Sequence, residues 1–103
     1  MQIEKYGIIV KYSKGGEMVF FSQLDIMRVF ERAMRRAELP IYFTQGFKPH
    51  PKMSFNNALK LGVEGEEQVT LYFTRIISPE ELRELMLPQL PQGLSVIEVA
   101  AAY

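Results

Sequence analysis

"QVTLYFTRIISPEELRELM", residues 68–86, carries a strand and a helix in immediate succession. In its first part Val69, Leu71 and Phe73 alternate with Gln68, Thr70, Tyr72 and Thr74, the period of two expected of a strand with one apolar face. In its second part Ser78 stands before Pro79, Glu80 and Glu81. A serine accepts the free N–H groups that open a helix, proline fits the first helical position, and carboxylates suit the positive end of the helix dipole. Leu82, Leu85 and Met86 then form an apolar stripe, and Pro88 closes the helix.

The rest of the chain repeats this grammar on both sides. After "PQG", the run "LSVIEVAAA" (94–102) reads as a final strand. Towards the N-terminus, "YGIIVKY" (6–12) alternates Tyr6, Ile8, Val10 and Tyr12 with Gly7, Ile9 and Lys11, which predicts a strand with its even face buried. Gly15-Gly16 marks a turn, and "MVFF" (18–21) reads as a short strand. Ser22 and Asp25 resemble a capping box, with Asp where Glu or Gln is usual. They open a helix through "QLDIMRVFERAMRRA", which ends at Leu39-Pro40. Met27, Phe30, Met34 and Ala37 form its apolar stripe, with Ile26 and Ala33 beside it. "IYFT" (41–44) and "MSF" (53–55) read as short strands on either side of a proline-containing loop.

The order strand, helix, strands, helix, strand predicts an α+β fold of the ferredoxin-like βαββαβ kind. Right-handed crossovers place both helices on one face of an antiparallel sheet. The expected core combines Met27, Phe30, Met34, Leu82, Leu85 and Val10, while Ile9, Lys11, Thr70, Tyr72 and Thr74 occupy the other sheet face. A chain of 103 residues predicts a single domain over 1–103.

Composition narrows the function classes. There is no cysteine and one histidine, which excludes disulfides, thiolate zinc sites, iron–sulfur ligation and thiol nucleophiles from this chain's own residues. No sustained apolar run opens the sequence, so the expectation is a soluble, cytoplasmic protein without a membrane anchor, and no cofactor or metal is expected. The net charge of zero is segregated: residues 1–60 sum to +5 and residues 61–103 to −5. That asymmetry suits one anion-binding surface; mutual neutralisation of the two halves is the alternative.

Two constellations could form such a surface. The first is "TQGFKPHPKMSF" (44–55). Gly46 tolerates a positive φ, and Pro49 and Pro51 fix their own φ and hold Lys48 and His50 away from helical geometry. Gln45, Gly46, Lys48, His50 and Lys52, with Ser22 and Asp25 at the start of the helix, are the candidate ligand-binding residues. In an extended chain Lys48, His50 and Lys52 point the same way, and the helix N-terminus adds backbone donors. A purely structural turn, its histidine bonded to a backbone carbonyl, is the competing reading. The second constellation is the arc of Arg28, Arg32, Arg35 and Arg36, a candidate nucleic-acid-binding face. Glu31, four residues before Arg35, is placed to pair with it, and a plain solvated helix face remains the alternative. No catalytic triad, phosphate loop or metal-binding spacing is present, so no residue is assigned a catalytic role.

Residues 20–64 carry a resemblance. Phe21-Ser22, Leu24-Asp25, Arg32-Ala33, Arg35-Arg36-Ala37, Leu39-Pro40, Gln45-Gly46-Phe47, Pro49-His50-Pro51-Lys52, Ser54-Phe55 and Leu61-Gly62 follow one another as they do in a bacterial family of uncharacterised domains. These domains are adjacent or fused to radical S-adenosylmethionine proteins. The resemblance implies an accessory role beside a radical S-adenosylmethionine protein; taken with the two basic constellations, the expectation is a substrate-binding domain whose target is RNA or another phosphate-bearing ligand. An enzyme using His50 and Asp25, and a protein-interaction module with a basic helix, are the alternatives. Two departures stand out. Gln23 occupies a position where the family commonly has histidine, and family domains usually run beyond this length, which implies an N-terminal portion or a short member.

Overall fold

The computed structural model describes residues 4–56 and 65–103; the Leu61-Gly62 pair lies outside them. The described elements are the strands β1 (Tyr6–Lys14), β2 (Met53–Asn56), β3 (Gly65–Phe73) and β4 (Leu94–Ala101), and the helices α1 (Gln23–Arg36) and α2 (Pro79–Met86). They occur in the order β1, α1, β2, β3, α2, β4, and the sheet runs β2-β3-β1-β4 with every pairing antiparallel. Each helix therefore joins two strands that are not neighbours, α1 crossing over β3 and α2 over β1. This is the α+β, ferredoxin-like arrangement that the element order predicts.

The alternation of β1 and β3 creates the core. Ile8 pairs with Leu71 and Val10 with Val69, and all four are fully buried. Ile26, Val29, Phe30, Ala33 and Met34 of α1 and Leu82 and Met86 of α2 join them in one cluster. The Phe30 ring meets Tyr12 nearly edge-on, with centroids 5.1 Å apart, an arrangement that the ring quadrupoles favour. Both helix starts are capped as the sequence indicates. Ser22 Oγ accepts the Asp25 N–H at 3.1 Å while the Asp25 carboxylate accepts the Ser22 N–H at 3.0 Å. Ser78 Oγ accepts the Glu81 N–H at 3.0 Å.

The structure corrects several local expectations. Residues 16–20 form a 3₁₀ turn and not a strand: Gly16 takes φ +58°, and Met18 and Val19 are both buried. Consecutive buried residues fit a helical turn, because a strand sends neighbours to opposite faces. The 41–44 segment contributes only isolated bridges, Ile41 with Phe73 and Phe43 with Pro51. β3 ends at Phe73, and the Thr74 N–H donates to the Pro40 carbonyl at 2.9 Å. In α1 the buried stripe includes Val29, whereas Met27 is half-buried. In α2 Leu85 is 41% exposed and outside the core.

One polar feature escaped the sequence reading. Lys14 continues the even face of β1 and Glu67 the odd face of β3, so both turn towards the helices. They pair at 3.7 Å with 2% of each side chain exposed, and the Tyr12 hydroxyl donates to the Glu67 carboxylate at 2.6 Å. Burial, the hydrogen bond to Glu67 and its negative charge push the Tyr12 pKa well above the ordinary tyrosine value.

Candidate ligand-binding site

The 41–53 segment is a hairpin held by backbone bonds. The Thr44 N–H donates to the His50 carbonyl at 2.8 Å, and the Lys52 N–H to the Tyr42 carbonyl at 2.9 Å. The Tyr42 N–H in turn donates to the Tyr72 carbonyl at 3.0 Å, tying the hairpin to β3. Thr44 Oγ1 accepts the His50 N–H at 3.2 Å, and the Gln45 side-chain amide donates to the Phe43 carbonyl at 3.0 Å. Pro51 is buried, whereas residues 45–50 are exposed. Gly46 does not use the left-handed conformation, and a Cβ there would meet open space. Backbone bonding and the prolines, not that glycine, account for the bend. Phe47, at the tip, is 98% exposed.

The three basic residues of the segment diverge. His50 Nδ1 lies 3.2 Å from the Lys48 carbonyl. A carbonyl only accepts, so in that bond Nδ1 carries the proton and Nε2 is left for other partners. His50, Pro51 and Met53 form one wall of a cleft of about 250 Å³, and Leu24, Met27, Arg28 and Glu31 of α1 form the other. Lys52 goes to the far side of the sheet, its ammonium 5.7 Å from the centre of the Tyr72 ring. Lys52 and Met53 are consecutive in an extended chain and so face opposite ways. Lys48 is exposed and forms no ion pair among the described residues.

The arginine arc is split in the same manner. Arg28 faces the hairpin cleft and has no ion-pair partner among the described residues. Arg35 Nε binds Glu31 at 3.0 Å, and its guanidinium lies 5.4 Å from the Phe43 ring centre. Arg32 and Arg36 border a separate groove of about 460 Å³ with Val29 and residues 88–91. Ser22 and Asp25 do not line the cleft. The Asp25 carboxyl is held below its usual range, first by the Ser22 N–H, then by the Ser22 hydroxyl, with the Arg28 charge assisting. The Ser22 N–H, the Ser22 hydroxyl and the Asp25 N–H are thus engaged within the cap.

The cleft offers one guanidinium, one imidazole and an apolar lining of Leu24, Met27, Pro51 and Met53. Such a set can hold an anion beside a flat or aliphatic moiety. The lining residues Leu24, Met27 and Met53 were missed, because an apolar side chain reads as core from sequence alone. Among the described residues, no cluster of three or more His, Asp or Glu is arranged to hold a metal ion, and no helix is long and apolar enough to cross a membrane. The model of a family described as "Uncharacterized protein conserved in bacteria (DUF2344)" matches residues 8–103. No curated protein and no solved structure matches the chain.

Proposed function

We propose, for a chain that belongs to this conserved bacterial family of uncharacterised proteins, that it is an accessory binding domain for a phosphate-bearing ligand such as RNA. In this reading it works beside a radical S-adenosylmethionine enzyme and presents the ligand to it. The observation that carries the binding role is the shared cleft of Arg28 and His50, a guanidinium that donates to a phosphate and an imidazole that donates through Nε2 when both ring nitrogens carry protons, closed by Leu24, Met27, Pro51 and Met53. Electrostatics supports it, because Glu31, the acid lining the same cleft, is already engaged by Arg35. The partner assignment rests on the resemblance of residues 20–64 to radical-linked domains, and a chain without cysteine leaves the cluster ligands to the partner.

The catalytic alternative draws less support: Asp25 is bonded to Ser22 and does not line the cleft that holds His50. The test of the binding role is nuclear magnetic resonance with inorganic phosphate, a nucleoside monophosphate and a short RNA. The His50 ring signals are expected to move on addition of at least one of these. Arg28→Ala and His50→Ala are each expected to weaken that binding about tenfold or more, the loss of one charge-assisted hydrogen bond. Folded variants that bind as the wild type does would overturn the assignment of this cleft.

A further inference from the structure

The sheet face turned away from the helices carries a second constellation. Tyr72 of β3 stands opposite Gly7 of β1. A Cβ at Gly7 would come within 3.2 Å of Tyr72 Cε1, so the tyrosine ring lies over the glycine. Two ammonium groups converge on this ring: Lys5 Nζ at 5.3 Å from its centre and Lys52 Nζ at 5.7 Å. Lys5 also lies 6.0 Å from the ring centre of Tyr42. Neither lysine has a carboxylate within ion-pair distance among the described residues. Glu4, next to Lys5 in the chain, is engaged by the Tyr6 hydroxyl.

An unpaired ammonium resting on an aromatic face is only weakly held, at about 0.5–1 kcal/mol in exposed settings. A ligand with a flat ring and flanking negative charge offers both partners more: a stacking surface for Tyr72 and phosphates for the lysines. Hydroxyls and amides surround the ring, since Ser54 Oγ lies 3.4 Å from the Tyr72 hydroxyl and Ser54 pairs with Thr70 across the sheet. Asn56 and Gln68 follow on the same face by alternation along their strands. These are groups that can bond a ribose 2′-hydroxyl and base edges.

We infer that this face binds single-stranded RNA, with one base stacked on Tyr72 and adjacent phosphates on Lys5 and Lys52. The surface lies across the sheet from the Arg28–His50 cleft and stands independently of it. Charge complementarity alone would fit any polyanion. A half-buried aromatic ring flanked by two cations without ion-pair partners among the described residues is what singles out a strand with unstacked bases.

The experiment uses a fluorescent ten-nucleotide mixed-sequence RNA in anisotropy titrations with the 103-residue chain. Tyr72→Leu is expected to weaken binding by about 5- to 150-fold, the range for loss of one base–aromatic stack, and Tyr72→Phe to retain most of it. Lys5→Ala and Lys52→Ala are each expected to flatten the logarithmic salt slope by about 0.7. Arg83→Ala, on α2, removes an equal charge and is expected to leave the affinity unchanged. Circular dichroism verifies that each variant is folded. Replacing uridine by 4-thiouridine and mapping the photo-crosslink separates the two surfaces: a crosslink on the peptide containing Tyr72 supports this one. A crosslink confined to residues 44–50 would overturn it while leaving the cleft reading intact. Equal affinity for the RNA duplex, equal affinity for the DNA strand, or lysine variants that weaken binding while Tyr72→Leu does not, would each refute the proposal.

Discussion

Replacing Tyr12 by phenylalanine isolates one bond in the buried polar cluster. The ring stays, with its edge contact to Phe30 at 5.1 Å, and only the hydroxyl that donates to Glu67 at 2.6 Å is removed. A hydrogen bond to a charged group contributes about 1.5–3 kcal/mol net, so the variant is expected to lose that much at pH 7. With an unfolding entropy of about 2.1 cal/mol/K per residue, a domain of this size has a total of about 0.22 kcal/mol/K, and Tm falls by roughly 7–14 °C. The pH dependence gives a second reading of the same bond. The folded protein holds the Tyr12 proton to a higher pH than the unfolded chain does. The stabilisation is therefore complete below the unfolded tyrosine pKa of about 10 and is lost as pH rises above it, at about 1.4 kcal/mol per unit. Urea unfolding followed by circular dichroism at pH 7, 9, 10 and 11 measures the gap between wild type and variant. The gap is expected to hold to pH 9 and to narrow above 10. A gap that is absent at pH 7, or that widens above pH 10, would refute the reasoning.

The neighbouring charges give a sharper contrast. Lys14→Met leaves the Glu67 carboxylate buried without its 3.7 Å counter-charge and is expected to cost about 3–5 kcal/mol, whereas Lys14→Met combined with Glu67→Leu recovers much of that loss; denaturant titration of both variants is the measurement. Phe30→Ala removes a fully buried ring and is expected to cost about 3–5 kcal/mol by the same assay. Ser22→Ala removes the cap of α1 at a cost of about 0.5–2 kcal/mol, read as a lower Tm. Because the Asp25 carboxyl is held below its usual range, its share of stability is present above the unfolded aspartate pKa of about 3.9 and is lost as pH falls through the folded value. Asp25→Asn is expected to flatten the acid limb of a Tm–pH curve.

Much of this molecule was legible because burial follows period. Ile8, Val10, Val69, Leu71, Ser22 and Ser78 announce their roles through alternation or position alone. Lys14 and Glu67 were legible in principle, since each lies two residues beyond the last apolar position on its face, but a charged residue at a strand end is ordinarily read as solvated. Whether those two faces meet depends on register, which long-range pairing sets. The cleft was half visible. His50 and Arg28 were singled out, but the walls came from Leu24, Met27 and Met53, residues whose apolar character reads as core until the helix phase is known. Lys52 parted from His50 because strict alternation fails between them: Pro51 and Met53 line the cleft with the period of two, His50 lines it out of that period, and Lys52 alone follows the opposite face to the ring of Tyr72.

The strand order also bears on how the chain reaches its native state. β1 is an interior strand whose partners are both distant: Ile8 pairs with Leu71 and with Ala101, roughly 60 and 90 positions further along. Only β2 and β3 pair across a comparatively short connection. The first strand synthesised therefore has no partner until β3 exists, and its second edge stays open until β4 exists. In that interval Tyr6–Lys14 is an apolar segment with two unpaired edges, the part of the chain most prone to pair with a second molecule. Helix α1, capped by its own Ser22–Asp25 box, needs no distant segment to begin forming, and it carries the residues that later cover this strand. Early apolar contact between Phe30 and Tyr12 would shield β1 while its partners are still being made, which gives the residue spacing between them a role in kinetics as well as in packing.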